Sequence, residues 1–190
     1  MNKLQDTLHE RRLLRAIIVK KDAQAYGEMY DKYADKMYRF ILFKVSDTES
    51  AQDITSEVFM SVWNYLTVGK QKSVESISGL FYRTARNKII DLYRERARTQ
   101  QQSLDILDRD VGPAHTRQMD KVETDDEVRR LLEDMRRLKA EYQEVLMLRY
   151  IEELSIDEIA VILEKKKTHV RVLIHRSVKK LQQIHNQKYG

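Results

Sequence analysis

LSIDEIAVILEKKKTHVRVLIHR, residues 154–176, joins two runs of helical apolar spacing through a short lysine-rich break. The first run opens with Ser155 and Glu158, the S-x-x-E pattern of a capping box that starts a helix. In the second run, about 100° of rotation per residue turns Val170 and Ile174 to one side. The inner side continues through Ser177, Val178 and Leu181. A short helix bracing a second one in this way predicts a helix-turn-helix.

The side of the second helix that faces away from this apolar stripe is basic and polar. From Lys165 to the last residue there are eight Lys or Arg and no acid. Such cations neutralise phosphates, while Arg171 or Arg176 could reach guanine edges and Val172 a thymine methyl. The pattern also fits a solvated helical hairpin, and the residues alone leave both interpretations open. The outward positions are Thr168, His169, Val172, Arg176 and Lys179, with Arg171 and His175 at the borders.

The rest of the chain also predicts an all-α fold. Only five Gly and one Pro occur among 190 residues, and no strand-like alternation stands out. Apolar residues recur every three or four positions around residues 14–18, 26–41, 54–66 and 77–98. They do so again at residues 128–151, just before the helix-turn-helix.

Between these groups the helical pattern stops. Residues 99–124 are mostly polar and contain the only proline, which is typical of a flexible linker. We therefore predict two small helical bundles, residues 1–98 and 125–190, with the helix-turn-helix in the second. One long loop within a single domain is the alternative, although structureless loops of that length are uncommon.

Composition argues against several classes of protein. Cysteine is absent, which excludes disulfides and thiolate metal sites. No stretch is long and apolar enough for a membrane span or a signal peptide, so we expect a cytoplasmic protein without membrane insertion. There is no Gly-rich phosphate loop, and the five histidines lack metal-ligand spacing. We expect neither an enzyme nor a metal or cofactor site.

A second basic segment lies at residues 81–98, FYRTARNKIIDLYRERAR. Six Lys or Arg stand against two acids, with aromatic residues between them. Basic groups can hold a phosphate backbone and aromatic faces can stack on unpaired bases. For Tyr82 and Tyr93, packing is the favoured role over stacking. Two such faces on one chain predict a bipartite DNA target.

At this point the sequence resembles a known family. YGEMYDKYADKMYRFILFKV, SAQDITSEVFMSVWNYL and GLFYRTARNKIIDLYRERAR resemble the second conserved region of bacterial extracytoplasmic-function (ECF) sigma factors. AEYQEVLMLRYIEELSIDEIAVILEKKKTHVRVLIHRSVKKL resembles their fourth region. The likeness covers about residues 10–98 and 128–183, in the family's order.

The resemblance implies an alternative sigma factor that binds core RNA polymerase and directs transcription initiation at promoters. It places polymerase docking on the third helix, at Asp53, Glu57 and Phe59, although the two acids could also be solvated helix charges. The −10 element would be read by Arg83, Arg86, Asn87, Asp91 and Arg94, with a base captured by loop 67–79. The −35 element would be read by Lys166, Lys167, Thr168, His169, Arg171, Val172, His175, Arg176 and Lys179. An anti-sigma factor is an expected partner.

Some positions depart from the family pattern. Leu80 stands where relatives commonly have Trp, and Glu153 and Glu164 stand where they often have Gly. Lys165 replaces a usually buried apolar residue, while Val172 and Leu173 replace polar or basic ones on the promoter-reading helix. A dimeric helix-turn-helix regulator is the competing function, but such a protein has no need for an acidic helix beside a basic, aromatic one.

Overall fold

The structure, a computed structural model, describes residues 3–68, 74, 76–103 and 126–189. The chain forms two compact units, Met1–Thr116 and Arg117–Gly190. All regular structure among the described residues is helical, which confirms the predicted all-α class and the two bundles. Most of the predicted linker, residues 104–124, lies outside the described residues.

The first unit contains four described helices. They are α1 Lys3–Lys20, α2 Ala23–Val45, α3 Thr48–Val68 and α4 Ile77–Ser103. α1 and α4 each pack against both α2 and α3. α4 continues five residues past Arg98, the end predicted from the pattern. α1 is also longer than its short apolar stripe at residues 14–18 indicated.

The core of this unit is formed by the apolar stripes seen in the sequence. Met29, Met37 and Ile41 of α2 are fully buried, whereas Tyr30 of the same stripe is exposed. Aromatic rings join the helices: Tyr33 stacks on Phe81 with 4.8 Å between ring centroids, and Phe59 lies 4.9 Å from Phe81. Because these rings come from α2, α3 and α4, they fix the three helices against one another.

A tight turn joins α2 to α3. Ser46 adopts left-handed backbone with φ 56°, and its N–H donates to the Leu42 carbonyl over 2.9 Å. Asp47 then precedes α3, and its Oδ2 accepts the Ser50 N–H at 3.0 Å, as an N-cap does. Hydrogen bonds from Ser50, with a smaller contribution from the charge of Arg96, hold the pKa of Asp47 below its usual value.

Replacing Asp47 by alanine should lower the free energy of unfolding by about 1 kcal/mol near pH 7, because α3 loses its cap. The lowered pKa means that this stability is present above the unfolded-state pKa and is lost as pH falls through the folded-state pKa. Urea denaturation at pH 7 and near pH 3 should therefore show the difference shrinking in acid. Asp47→Asn, which keeps a capping oxygen, is the control. An equal loss in both variants would contradict the capping role.

The second unit is built around the helix-turn-helix. It contains α5 Asp126–Arg136, α6 Ala140–Leu146 with a π-helical turn at Met147–Ile151, α7 Ile156–Leu163 and α8 Lys167–Tyr189. α8 packs against α5, α6 and α7. The predicted capping box is present, since Ser155 Oγ accepts the Glu158 N–H at 3.2 Å and the Ser155 N–H donates to the Glu158 carboxylate at 2.9 Å.

The inner side of α8 is buried or half-buried in the unit. Val170 and Ser177 are fully buried, and Ile174, Val178 and Leu181, predicted on the same side, are half-buried. Leu173, one of the residues that depart from the family pattern, is also buried, so this change affects packing and not the outer surface. Near the end of α8, His185 Nδ1 lies 3.0 Å from Oδ2 of the fully buried Asp134, which ties α8 to α5.

Candidate nucleic-acid interface

The outer surface of α8 and of the turn before it is continuous and basic. All nine residues predicted to read the −35 element are solvent-exposed in the structure. Val172 is 47% exposed among them, so its methyl groups are available to a partner. The described part of this surface, from Lys165 through residue 187, contains no acid. The nine are Lys166, Lys167, Thr168, His169, Arg171, Val172, His175, Arg176 and Lys179.

Two lysines at the elbow bind acids of the same unit. Lys167 Nζ lies 2.8 Å from Asp157 of α7, and both groups are well exposed. Lys165 Nζ lies 3.0 Å from Glu141 in the first turn of α6. Lys165 is half-buried, so a charged residue is accommodated where the family has an apolar one because its stem packs while its ammonium is paired.

The elbow itself has the shape of a glycine-type helix end although no glycine is present. Glu164 lies in left-handed backbone with φ 54°, and the Lys165 N–H donates to the Ala160 carbonyl at 3.0 Å. The Glu164 N–H reaches the Val161 carbonyl at 3.4 Å, which completes the Schellman pattern. Glu164 therefore keeps the left-handed conformation that glycine adopts without strain. Glu153 has the same φ of 54°.

Replacing Glu164 by glycine should raise the free energy of unfolding by about 1 kcal/mol, because a side chain in left-handed backbone is strained. Chemical denaturation of the full chain measures this change. Lys166→Gly is a matched control at a neighbouring exposed residue without left-handed backbone, and it should not stabilise. A less stable Glu164→Gly variant would show that the elbow does not hold this strain.

A second basic surface runs along α4. At about 100° per residue, the five predicted −10 residues fall within roughly 140° of arc. Asn87, Asp91 and Arg94 are exposed, and Arg83 and Arg86 are half-buried. Arg94 NH1 lies 3.4 Å from Asp91 Oδ1, an exposed pair on the same helix. The structure therefore brings all five to one side of α4.

The aromatic residues around α4 have packing roles. Tyr82 is buried and meets Phe40 edge-on at 5.2 Å between centroids. The Tyr93 hydroxyl donates to the Lys44 carbonyl at 2.6 Å, and burial raises the pKa of that phenol. Leu80 is also buried. The expectation that Tyr82 and Tyr93 pack agrees with the burial of Tyr82, whereas the Tyr93 ring is 45% exposed and only its hydroxyl is held by the Lys44 carbonyl.

The exposed side of α3 is acidic and lies next to the basic side of α4. Asp53 and Glu57 are exposed there. Glu57 Oε2 accepts from Lys88 Nζ of α4 at 2.8 Å, so one of the predicted docking carboxylates already has an intramolecular partner. Phe59, in contrast, is only 4% exposed and packs in the aromatic core. Its predicted direct contact with polymerase is not available in this conformation, and its ring instead holds α3 in place.

Sequence reasoning missed Met60 on this surface. Met60 is 58% exposed and follows Asp53 and Glu57 at steps of four and three. That spacing puts it on the same side of α3. The spacing was visible in the sequence, but Phe59 was taken from the resemblance to the family and Met60 was not considered.

Comparison with known proteins identifies the family. Residues 29–99 match the protein family Sigma-70 region 2, and residues 129–181 match the family Sigma-70, region 4. The ECF RNA polymerase sigma factor BldN of Streptomyces coelicolor is 28% identical over 161 residues, 84% of this chain and 60% of BldN. SigX of Bacillus subtilis, also an ECF sigma factor, is 27% identical over 161 residues, 83% of this chain and 82% of SigX.

The chain belongs to the ECF group of the sigma-70 family. Membership implies polymerase binding and promoter-directed transcription initiation. The fold of this sigma factor is also that of RpoE from Bartonella quintana, solved with the anti-sigma factor NepR. The TM-score is 0.67 at 15% identity, over 85% of this chain and 96% of RpoE.

No helix among the described residues is long and apolar enough to cross a membrane. The same residues contain no group of three or more His, Asp or Glu placed to hold a metal ion.

Proposed function

We propose that this sigma factor docks on core RNA polymerase through α3 and reads promoter DNA through two separate surfaces. The outer side of α8 would enter the major groove of the duplex −35 element, and the basic side of α4 would contact the −10 element. The observation that carries the proposal is the nine-residue outer surface of the helix-turn-helix, which is exposed throughout and free of acids. Recognition helices of this class contact base edges in the same way.

Charge supports the division of roles within the first unit. α3 exposes Asp53 and Glu57, whereas the adjacent α4 exposes Arg94 and half-exposes Arg83. A polyanion is attracted to the second surface and repelled by the first. The clamp helices of polymerase would therefore meet α3, and the DNA would meet α4. Within loop 67–79, proposed to capture a flipped −10 base, residues 69–73 and 75 lie outside the described residues. The loop is shorter than predicted, because residues 67–68 belong to α3 and residues 77–79 to α4.

A dimeric operator-binding regulator remains the competing function. It would account for the helix-turn-helix, but the acidic surface on α3 beside the basic surface on α4 would then have no use. The match of residues 29–99 to sigma region 2 supports the sigma factor instead. Tight binding to duplex operator DNA without any binding to core polymerase would favour the regulator.

We further propose an anti-sigma factor as a regulatory partner. RpoE of Bartonella quintana, whose fold is similar, was solved with the anti-sigma factor NepR. A protein that covers the α4 and α8 surfaces would block promoter binding directly. Isolation of the chain from its native cell with no bound partner would count against this proposal.

Run-off transcription on a randomised promoter library tests the proposed function. Core polymerase with this chain should select templates that share two short elements, whereas core polymerase alone should select none. If the selected templates shared only one element, one of the two proposed DNA surfaces would be wrong. No transcription by the reconstituted enzyme on any template would contradict the assignment to transcription initiation.

A further inference from the structure

α1 carries a third basic surface, which precedes residue 29, where the match to sigma-70 region 2 begins. Residues 11–21 read RRLLRAIIVKK and contain five cations and no acid, against a net charge of +5 for the whole chain. The two family matches begin at residues 29 and 129. A run of one sign along a packed helix indicates a site for an anionic partner.

The acids of α1 face inward, which leaves its outer side positive. Lys32 Nζ of α2 lies 3.0 Å from both Asp6 and Glu10. Glu10 also accepts the Tyr33 hydroxyl at 2.7 Å. The hydrogen bond and charge of Lys32 hold the pKa of Asp6 below its usual value, so this carboxylate stays ionised and turned towards α2. The acids therefore do not neutralise the arginines on the opposite side.

The arginines form a line on the exposed side of α1. Arg11, Arg12 and Arg15 are exposed, while Leu13 and Ile17 of the same helix are buried. At about 100° per residue the three arginines share an arc of roughly 100°. Arg11 and Arg15 are about 6 Å apart along the helix axis. Lys20 is also exposed, but it falls about 180° from Arg11 and lies outside this arc.

We propose that this surface, named here the α1 ridge (Arg11, Arg12 and Arg15), binds the DNA phosphate backbone without reading sequence. The inference rests on the proposed function, because it adds a contact to a promoter complex. Long cations a few ångström apart suit a duplex, whose strands carry a phosphate about every 3.4 Å of rise. Phosphate contacts of this kind position a protein and carry no sequence information.

The apolar residues on this side favour DNA over an acidic protein partner. Leu8 and Val19 are exposed, but they lie 11 positions apart, with the arginines between them. Single exposed aliphatic residues are ordinary on protein surfaces, whereas protein interfaces use contiguous apolar patches. The ridge lies on α1, which packs against α2 and α3, whereas the proposed −10 surface lies on α4.

Salt dependence of DNA binding tests the ridge. The variant is Arg11→Gln/Arg15→Gln, and the matched control is Lys36→Gln/Arg39→Gln, which removes the same charge from α2. The dissociation constant of the reconstituted holoenzyme is measured from about 50 to 300 mM NaCl on a promoter duplex and a scrambled duplex. The ridge variant should lose about 2 units of salt slope, at about 0.9 per phosphate contact. Its affinity should fall by the same factor on both duplexes, and the control should change neither.

Three outcomes would overturn the inference. The first is an unchanged salt slope in the ridge variant, and the second is an equal loss of salt slope in the control variant. The third is a loss of core-polymerase affinity with the salt slope unchanged, which would assign the ridge to a protein partner. The same titration with the free chain separates this inference from the proposed function. If the chain did not bind core polymerase, but the salt slope of its own DNA binding fell in the ridge variant, the ridge would stand and the sigma-factor role would be rejected. Circular dichroism confirms that each variant is folded.

Discussion

Replacing Arg176 and Lys179 by alanine should lower the affinity of the holoenzyme for −35 duplex DNA by roughly 30- to 1,000-fold. Both side chains are on the exposed side of α8. A bidentate arginine contact to a base contributes about 1–3 kcal/mol of discrimination, and a lost phosphate contact adds to this. Affinity for core polymerase should be unchanged, because neither residue lies on α3. Fluorescence anisotropy with labelled duplex and with labelled core polymerase measures the two affinities.

The matched control for this variant is Arg137→Ala/Lys139→Ala. These cations are exposed in the same unit but lie between α5 and α6, and so are not part of α8 or of the elbow before it. The control should keep most of the −35 affinity. If the two variants lost affinity equally, general positive charge would explain binding and the recognition role of α8 would be wrong.

Replacing Asp53 and Glu57 by alanine should have the opposite effect. Truncating charged groups that pair across an interface costs about 2–5 kcal/mol, so core-polymerase affinity should fall by roughly 100-fold or more. Binding of the second unit to −35 DNA should be unchanged. The exposed Met60 beside the two acids suggests an apolar contact at the same interface. Competition with a reference sigma factor for core polymerase provides the measurement.

The Lys88–Glu57 bridge supplies the control for this experiment. Lys88→Met removes the bridge at 2.8 Å and leaves both carboxylates in place. Exposed ion pairs stabilise by at most about 1 kcal/mol, so the variant should fold and should still bind core polymerase. If Lys88→Met lost as much core affinity as the acidic double variant, the carboxylates would act through the structure of the unit and not through contact.

The local parts of this fold follow from spacing along the chain. The rotation of a helix decides which side each residue takes, so five outward positions of α8 and two at its borders could be predicted without coordinates. The capping box at Ser155 is equally local, because its two partners are three residues apart. Lys166, Lys167 and the five −10 residues came instead from the resemblance to the family.

Contacts between distant segments could not be predicted in this way. Glu57 and Lys88 are 31 positions apart, and nothing in either helix indicates that the two side chains meet. Phe59 was predicted to contact a partner, but Phe81 and the tyrosines of α2 enclose its ring. These features depend on three-dimensional packing, which overrides local preference.

Footprinting of the reconstituted holoenzyme on a selected promoter tests the central claim most directly. With core polymerase and this chain, the −35 duplex should be protected from nuclease cleavage, and permanganate should oxidise unpaired thymines near −10. The Arg176→Ala/Lys179→Ala variant should lose the upstream protection first. The account would be contradicted if the chain alone protected one symmetric site and no unpaired thymines appeared when core polymerase was added.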